Sequence, residues 1–179
     1  EVEKHSFVKI IKHKNQLGQS HALLSGIKLA NYKTIITCDG DGQNVPADIL
    51  KLLDVYHKNP NTLLVGGLRT ERHDSIIKKI SSKIANGFRS YILKDMCSDT
   101  GCGLKVFSKE IFLKLPFFNG IHRFLPALYK GYGHNTIFIP VKHRKRLKGN
   151  SKYGTFDRLF KGLVDIVRVY KMINNKNLK

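Results

Sequence analysis

The chain has 179 residues, of which 41% are hydrophobic and 25% charged, and its 32 Lys+Arg against 13 Asp+Glu give a formal net charge of +19. This is a globular composition, which excludes wholesale disorder, and the length suits one domain able to bury roughly 70% of its unfolded surface. No apolar run approaches the ~20 residues that a bilayer-spanning helix needs.

In chain order, residues 7–12 (FVKIIK) predict a short strand. Residues 18–31 place Ala22, Leu23, Ile27 and Ala30 at helical spacing. Residues 33–38 (KTIITC) predict a strand that runs straight into Asp39-Gly40-Asp41-Gly42. Pro46 can open the next helix, with Ile49, Leu50, Leu53 and Val55 or Tyr56 as its apolar positions. A buried strand is expected at 62–67 and a basic helix over 74–93. A glycine-rich stretch at 99–103 leads into a strand at 104–107. Short helices follow near 108–114 and 121–131, then a last strand at 136–141 and a helix over 155–173.

Alternating strands and helices imply an α/β sheet with helices on both faces. Ligands of such sheets bind beyond the carboxyl ends of the strands, and the Asp-rich turn after Cys38 sits at such an end. A domain of this kind has at least one earlier strand-helix unit, so the chain reads as N-terminally shortened. We divide it into a partial α/β domain over 1–154 and a C-terminal amphipathic helix over 155–179, which could lie on a membrane surface.

The charge points to polyanionic partners: nucleic acid, anionic lipid or phosphorylated substrates. Composition does not choose among them, but Trp is absent and no named nucleic-acid motif is present. Cys38, Cys97 and Cys102 cannot all pair within one chain, and an odd count fits a reducing cytosol. Cys97 and Cys102 lack the CxxC spacing and clustered His of a zinc site.

Asp39, Asp41 and Gln43 stand at i, i+2 and i+4 between an apolar strand and a helix. Mg²⁺ takes one or two carboxylates together with substrate phosphates, and two carboxylates flanking a glycine can reach one ion. The same residues also fit an ordinary Asp/Gly turn capping the next helix. An EF-hand does not fit, because no Glu stands at the twelfth loop position.

Two basic runs contain no acid. One holds Lys78, Lys79, Lys83, Arg89 and Lys94; the other holds Lys142, Arg144, Lys145, Arg146, Lys148 and Lys152, with His143. The second also contains Gly149, Ser151 and Tyr153, which suit a phosphate-contacting loop. The last helix places Phe156, Leu159, Phe160, Leu163, Val167, Tyr170 and Ile173 among Arg158, Lys161, Arg168 and Lys171. It reads equally as a helix packed on the sheet or as one lying on an anionic bilayer.

Several segments, in order, resemble one family. They are N-Q-L-G-Q-S-H-A-L-L-S-G-I at 15–27, C-D-G-D-G-Q-N-V-P-A-D-I at 38–49, G-G-L-R-T-E-R-H-D at 66–74 and S-S-K-I-A-N at 81–86. D-T-G-C-G-L-K at 99–105, H-R-F-L-P-A-L at 122–128 and H-R-K-R-L-K-G-N-S-K-Y-G at 143–154 complete the series. Together they resemble the family 2 glycosyltransferases, in the dolichol-phosphate mannosyltransferase-like (polyprenyl-phosphate glycosyltransferase) branch.

The resemblance implies a GT-A fold, a Rossmann-like mixed sheet with helices on both faces. It implies metal-dependent, inverting transfer of one sugar from a GDP- or UDP-linked donor to a polyprenyl phosphate. It makes Asp39, Asp41 and Gln43 the metal and donor-diphosphate site, with Asp39 and Asp41 as the catalytic pair and Mg²⁺ or Mn²⁺ as the ion. Arg69 resembles the family's arginine after the central strand. Lys78 or Lys79, with Ser82, falls where relatives place a basic residue and a serine near phosphate, though Arg is commoner there. Arg146, Ser151 and Lys152 match an R-x-x-G-x-S-K loop that closes over phosphates. Asp99, Gly101 and Gly103 match a loop lining the acceptor side.

The family's opening strand, ending in P-x-x-N-E, and its D-x-S turn are not found in this sequence. The implied location is the cytoplasmic face of a membrane, with the bacterial inner membrane favoured. The implied partners are the nucleotide-sugar, the polyprenyl phosphate and an anionic membrane surface, without nucleic acid. The rival readings are a basic nucleic-acid-binding module, a non-catalytic membrane-surface protein and a family 2 transferase that extends a sugar chain.

Overall fold

The computed structural model describes residues 7–70, 76–144 and 155–175, with the side chains of 76–82 and 155–160 excepted. Strands β1 (Thr34–Thr37), β2 (Thr62–Arg69), β3 (Lys105–Ser108) and β4 (Asn135–Val141) form one sheet in the order β1-β3-β2-β4. The sheet is mixed: β3 is antiparallel to both β1 and β2, and β2 is parallel to β4. It follows that β1, β2 and β4 all point the same way. Their carboxyl ends share one edge with the loop that enters β3.

Strand residues alternate between two faces, and each face builds its own core. On one face Val65 of β2, Val106 of β3 and Ile137 and Ile139 of β4 meet helix α2 (Pro46–Lys58). On the other face Leu64, Phe107 and Phe138 meet α1 (Gln19–Leu29), α4 (Lys109–Lys114) and α5 (Ile121–Gly131). This larger core also takes in the C-terminal ends of α3 (Ile76–Leu93) and α6 (Thr155–Asn174). Leu64, Phe107, Leu128 and Tyr129 are fully buried there. Truncating such a side chain to Ala costs about 2–5 kcal/mol.

Helix α2 begins with Pro46 in its first turn, as the sequence predicts. Its buried stripe is Ile49, Leu52, Leu53 and Tyr56, the i, i+3, i+4, i+7 face, so Leu50 points to solvent rather than inward.

One further expectation is overturned. Residues 7–12 form no strand; Phe7, Ile10 and Ile11 are exposed, and no ladder in the sheet includes them. An apolar run becomes a strand only where a sheet edge accepts its hydrogen bonds. In α6 the core-facing residues are Ile166 and Val169, with Met172 and Ile173 partly buried. Of the apolar positions read from the sequence, Leu163, Val167 and Tyr170 are exposed, Ile173 is partly buried, and the side chains of Phe156, Leu159 and Phe160 lie outside the described residues. Asp165 explains this rotation: Arg123 of α5 donates to it at 2.9 Å and Arg168 at 3.0 Å, which turns the neighbouring Ile166 and Val169 inward.

Candidate active site

The carboxyl edge of the sheet gathers four segments: the Asp turn after β1, Arg69 at the end of β2, residues 142–144 after β4 and the 99–103 loop entering β3. Chain direction alone brings them together, because β3 runs against its neighbours and starts where they end.

The acidic turn is held from several sides. The Asp39 backbone N–H donates to Asn44 Oδ1 at 2.9 Å, and the Gln43 N–H to Asp41 Oδ1 at 3.2 Å. Gly42 takes a left-handed φ of 75°, which glycine adopts without strain. The Asp39 carboxylate packs directly over Gly103, and a Cβ there would collide with it. Thr37 Oγ1 donates to the Gly103 carbonyl at 2.8 Å, fixing this floor to β1. Gln19, at the start of α1, approaches Asp39 Oδ1 at 3.5 Å and also lines an open pocket of about 340 Å³ with Ile11, Asn15 and Gln16.

The turn is also joined to the basic run. Asn44 and His143 form an antiparallel bridge, and Gln43 and Arg144 exchange bonds: Arg144 N–H to Gln43 O at 2.9 Å and Gln43 Nε2 to Arg144 O at 3.1 Å. Buried Asp48 accepts the Lys142 N–H at 2.8 Å. The run that starts at Lys142 therefore leaves the sheet beside the two carboxylates.

Arg69 and Asp99 form a bidentate pair. Arg69 Nε donates to Asp99 Oδ2 and Nη2 to Oδ1, both at 2.7 Å, and the Arg69 backbone N–H reaches Oδ2 at 3.2 Å. This fork fixes the guanidinium plane, as a flexible ammonium would not be fixed. Gly101 permits the approach, since a Cβ there would stand 2.9 Å from Arg69 Nη2.

Beneath both carboxylates lies Lys105, only 4% exposed, whose ammonium donates to the Cys102 carbonyl. Burial pulls its pKa below the ordinary lysine value, and the Asp39 and Asp99 charges oppose that shift. Behind it, Gly120 N–H donates to Ser20 Oγ at 2.8 Å, and Ser20 Oγ stands 2.8 Å from His122 Nδ1. The serine hydroxyl thus joins the Gly120 backbone and the His122 ring in one buried network, within which it can donate to Nδ1 or accept from it. Burial, aided by Arg123 and Lys105, pushes the His122 pKa down to about 4.

Asp39, Asp41, Gln43, Arg69, Asp99, Gly101 and Gly103 therefore lie in segments that share one edge. Lys78, Lys79 and Ser82 fall on α3, but their side chains are outside the described residues, and Arg146, Ser151 and Lys152 lie outside them altogether. Arg89, counted above in a basic run, is buried and paired with Asp95, so it is not part of a solvated cationic face. Sequence reasoning gave no role to Thr37, Asn44, Asp48, Lys105 or His122. Asn44, Asp48, Lys105 and His122 stand inside the motifs quoted above, and an Asp in a helix's first turn or a lone Lys closing a glycine loop was the available signal.

The donor chemistry fits a hard cation. Asp39 and Asp41 offer carboxylate oxygens on one short turn, the kind of set that Mg²⁺ or Mn²⁺ completes with water and phosphate oxygens.

Comparison with known proteins agrees with this geometry. Residues 1–116, more than half of the chain, match the family described as Glycosyl transferase family 2. The chain belongs to that family.

Among its relatives is a dodecaprenyl-phosphate galacturonate synthase of Rhizobium johnstonii, 31% identical over 164 residues, covering 90% of this chain and 48% of that protein. An undecaprenyl-phosphate 4-deoxy-4-formamido-L-arabinose transferase of Edwardsiella ictaluri is 31% identical over 150 residues, covering 84% and 45%. The chain thus spans about half the length of the curated relatives it matches.

Mannosyl-3-phosphoglycerate synthase from Rubrobacter xylanophilus superposes with a TM-score of 0.66 at 14% identity, covering 89% of this chain and 52% of that one. Glucosyl-3-phosphoglycerate synthase from Mycobacterium tuberculosis, crystallised with Mn²⁺ and UDP-glucose, gives 0.58 at 13% identity, covering 87% and 55%. These likenesses establish the GT-A fold of this family 2 domain.

Proposed function

We propose that this domain transfers one sugar from a GDP- or UDP-linked donor to a polyprenyl phosphate, with inversion and with a divalent cation. The observation that carries the reading is the shared sheet edge. A two-carboxylate turn, a bidentately held arginine and the start of a basic run lie along that edge. The two relatives named for polyprenyl-phosphate substrates favour that acceptor class.

Asp39 and Asp41 would hold the cation, with Gln43 keeping the turn docked on residues 142–144. When bound, the ion supplies positive charge against the diphosphate as it leaves. An oxygen of the acceptor phosphate attacks the anomeric carbon. The new C–O bond forms as the bond from that carbon to the donor diphosphate breaks, and the nucleoside diphosphate takes the electron pair.

The acceptor phosphate is already ionised at neutral pH, so no strong general base is required, and catalysis rests on positioning and charge stabilisation. Arg69, oriented by Asp99, is proposed to contribute positive charge near the phosphates. Lys78, Lys79, Ser82, Arg146, Ser151 and Lys152 are proposed to add phosphate contacts. The loop containing Asp99, Gly101 and Gly103 is proposed to line the acceptor side.

The acceptor is a membrane lipid, so we assign the reaction to the cytoplasmic face of a membrane, the bacterial inner membrane being favoured. No helix among the described residues is long and apolar enough to cross a bilayer. The test is transfer itself, measured with Mg²⁺ or Mn²⁺, a panel of UDP- and GDP-sugars and a short polyprenyl phosphate. A lipid-linked sugar made by the native chain, and reduced at least 100-fold in Asp41→Asn, is expected. Undiminished metal-dependent turnover by the variant would overturn the assignment.

A further inference from the structure

Helix α3 turns a charge towards the protein. Ile84, Phe88 and Tyr91, at i, i+4 and i+7, are exposed, whereas Arg89 is 4% exposed. A helix packed on a core normally buries its apolar stripe and leaves its charges in water. Desolvating a guanidinium is costly unless partners compensate, so what Arg89 binds identifies its task.

Arg89 binds the start of the loop that enters β3. Its Nη1 lies 3.0 Å from Asp95 Oδ2, and its Nη2 donates to Asp95 Oδ1 at 3.3 Å and also to the Cys97 carbonyl. Asp95 is fully buried and accepts the Cys97 backbone N–H at 3.0 Å. One ion pair therefore holds both polar groups of the Cys97 backbone. Lys94 and Met96, on either side of Asp95, are exposed and take left-handed φ angles of 52° and 57°. Non-glycine residues keep such angles only where surrounding contacts over-determine them. Here those contacts are the ones made by Asp95.

The rest of the loop is gripped in the same manner. Thr100 Oγ1 donates to Asn86 Oδ1 of α3 at 3.1 Å, and Lys105 donates to the Cys102 carbonyl. Two buried cations thus hold the carbonyls of Cys97 and Cys102. Between them stands Asp99, which fixes Arg69 through its bidentate pair. Asp99 is two residues from Cys97, so slack at Cys97 displaces the carboxylate that orients the guanidinium.

We propose that Arg89 and Asp95 are a positioning pair, which fixes residues 97–99 from the inward side of α3 and so sets the place of Asp99 and Arg69. The proposal rests on the proposed function only in assigning this loop to the acceptor side. The acidic turn is held by other contacts, those of Asn44, Arg144 and the Gly103 floor. The pair therefore governs acceptor KM and leaves nucleotide binding at the turn unchanged.

Three variants separate positioning from plain support of the fold. Arg89→Met leaves the Asp95 carboxylate buried without its cation and should lower the urea midpoint strongly. Arg89→Met/Asp95→Asn removes both charges and keeps an oxygen for the Cys97 N–H, so most of that stability should return. Its Cys97 carbonyl still lacks a donor. Acceptor KM, measured with a short polyprenyl phosphate, should stay raised about tenfold, with UDP and GDP binding changed by less than about twofold. Arg89→Lys keeps the charge without the planar fork and should recover part of the KM loss.

The thiols give a readout that needs no substrate. Cys97 is 1% exposed, and Cys38 is exposed and serves as internal standard. Peptide-resolved maleimide labelling of Cys97 should be at least about tenfold faster in the double variant than in the native chain. Charge removal alone does not produce this. Arg89 lowers the Cys97 pKa more than Asp95 raises it, so losing both from an unmoved loop would not favour the thiolate.

A native acceptor KM in the stable double variant, or Cys97 labelling no faster than native, would overturn the proposal and leave the pair a support of the fold alone. Faster labelling in a chain whose native form transfers no sugar from any donor would overturn the reading of the site and leave the positioning of the loop standing.

Discussion

The carboxyl edge of the sheet and the outer face of α3 depart from ordinary packing in opposite directions. At the edge, charged groups are buried or half-buried and each is braced: Arg69 by Asp99, Asp48 by the Lys142 N–H, and Lys105 by the Cys102 carbonyl. On α3, apolar groups are exposed and nothing among the described residues covers them. Burying a charge costs several kcal/mol unless partners compensate, and the partners at the edge hold their charged groups in fixed positions. Exposing an apolar stripe costs less per side chain, and that cost is recovered only when something covers the stripe. The first region compensates its charges internally, and the second leaves its apolar groups uncovered among the described residues.

The comparison can be broken at its most rigid point. Asp99→Ala leaves the Arg69 guanidinium without its bidentate partner and should destabilise the fold by about 3 kcal/mol in urea titration. A loss within experimental error would mean that the pair is not a brace. Gly103→Ala tests the floor under Asp39. Its Cβ must displace that carboxylate, and a shift on the order of 1 Å costs about 100-fold in transfer with little change in melting temperature.

The His122 network gives a sharper, pH-dependent signature. Its folded pKa of about 4 lies below the ordinary histidine value, so the unfolded chain binds more protons in between. Stability from this group is therefore complete above about pH 6.5 and is lost progressively as pH falls towards 4. Between pH 7 and pH 5 the loss should be on the order of 2 kcal/mol, and His122→Asn should remove most of that slope. The smallest effect belongs to the solvated pairs. Lys58→Ala and Lys114→Ala break exposed bridges to Asp54 and Glu110 and should each cost less than about 0.5 kcal/mol.

Much of this was legible in the sequence for physical reasons. Runs such as TIIT and TLLVGG have no periodicity but strand to offer, and Pro46 has no helical position but the first turn. The Asp turn could be placed at a strand's carboxyl end because α/β connectivity allows little else. Facing direction was harder to read. Leu163, Val167 and Tyr170 share a helical stripe as good as that of Ile166 and Val169, and only the ion pairs of Asp165 select between them.

Residues 7–12 read as a strand because local pattern carries no information about whether an edge will pair. Arg89 looked like one more surface cation, since its partner Asp95 lies beyond the end of the helix. Lys105 drew no attention because burial of a lysine cannot be inferred from its neighbours in sequence.

The most direct test of the central claim is nucleotide binding at the acidic turn. Titration calorimetry would follow UDP and GDP binding to the native chain and to Asp41→Asn, each with Mn²⁺ and with EDTA. The account predicts binding of one nucleotide that requires Mn²⁺ and is lost in Asp41→Asn. Equal binding by both chains, with or without the metal, would contradict it.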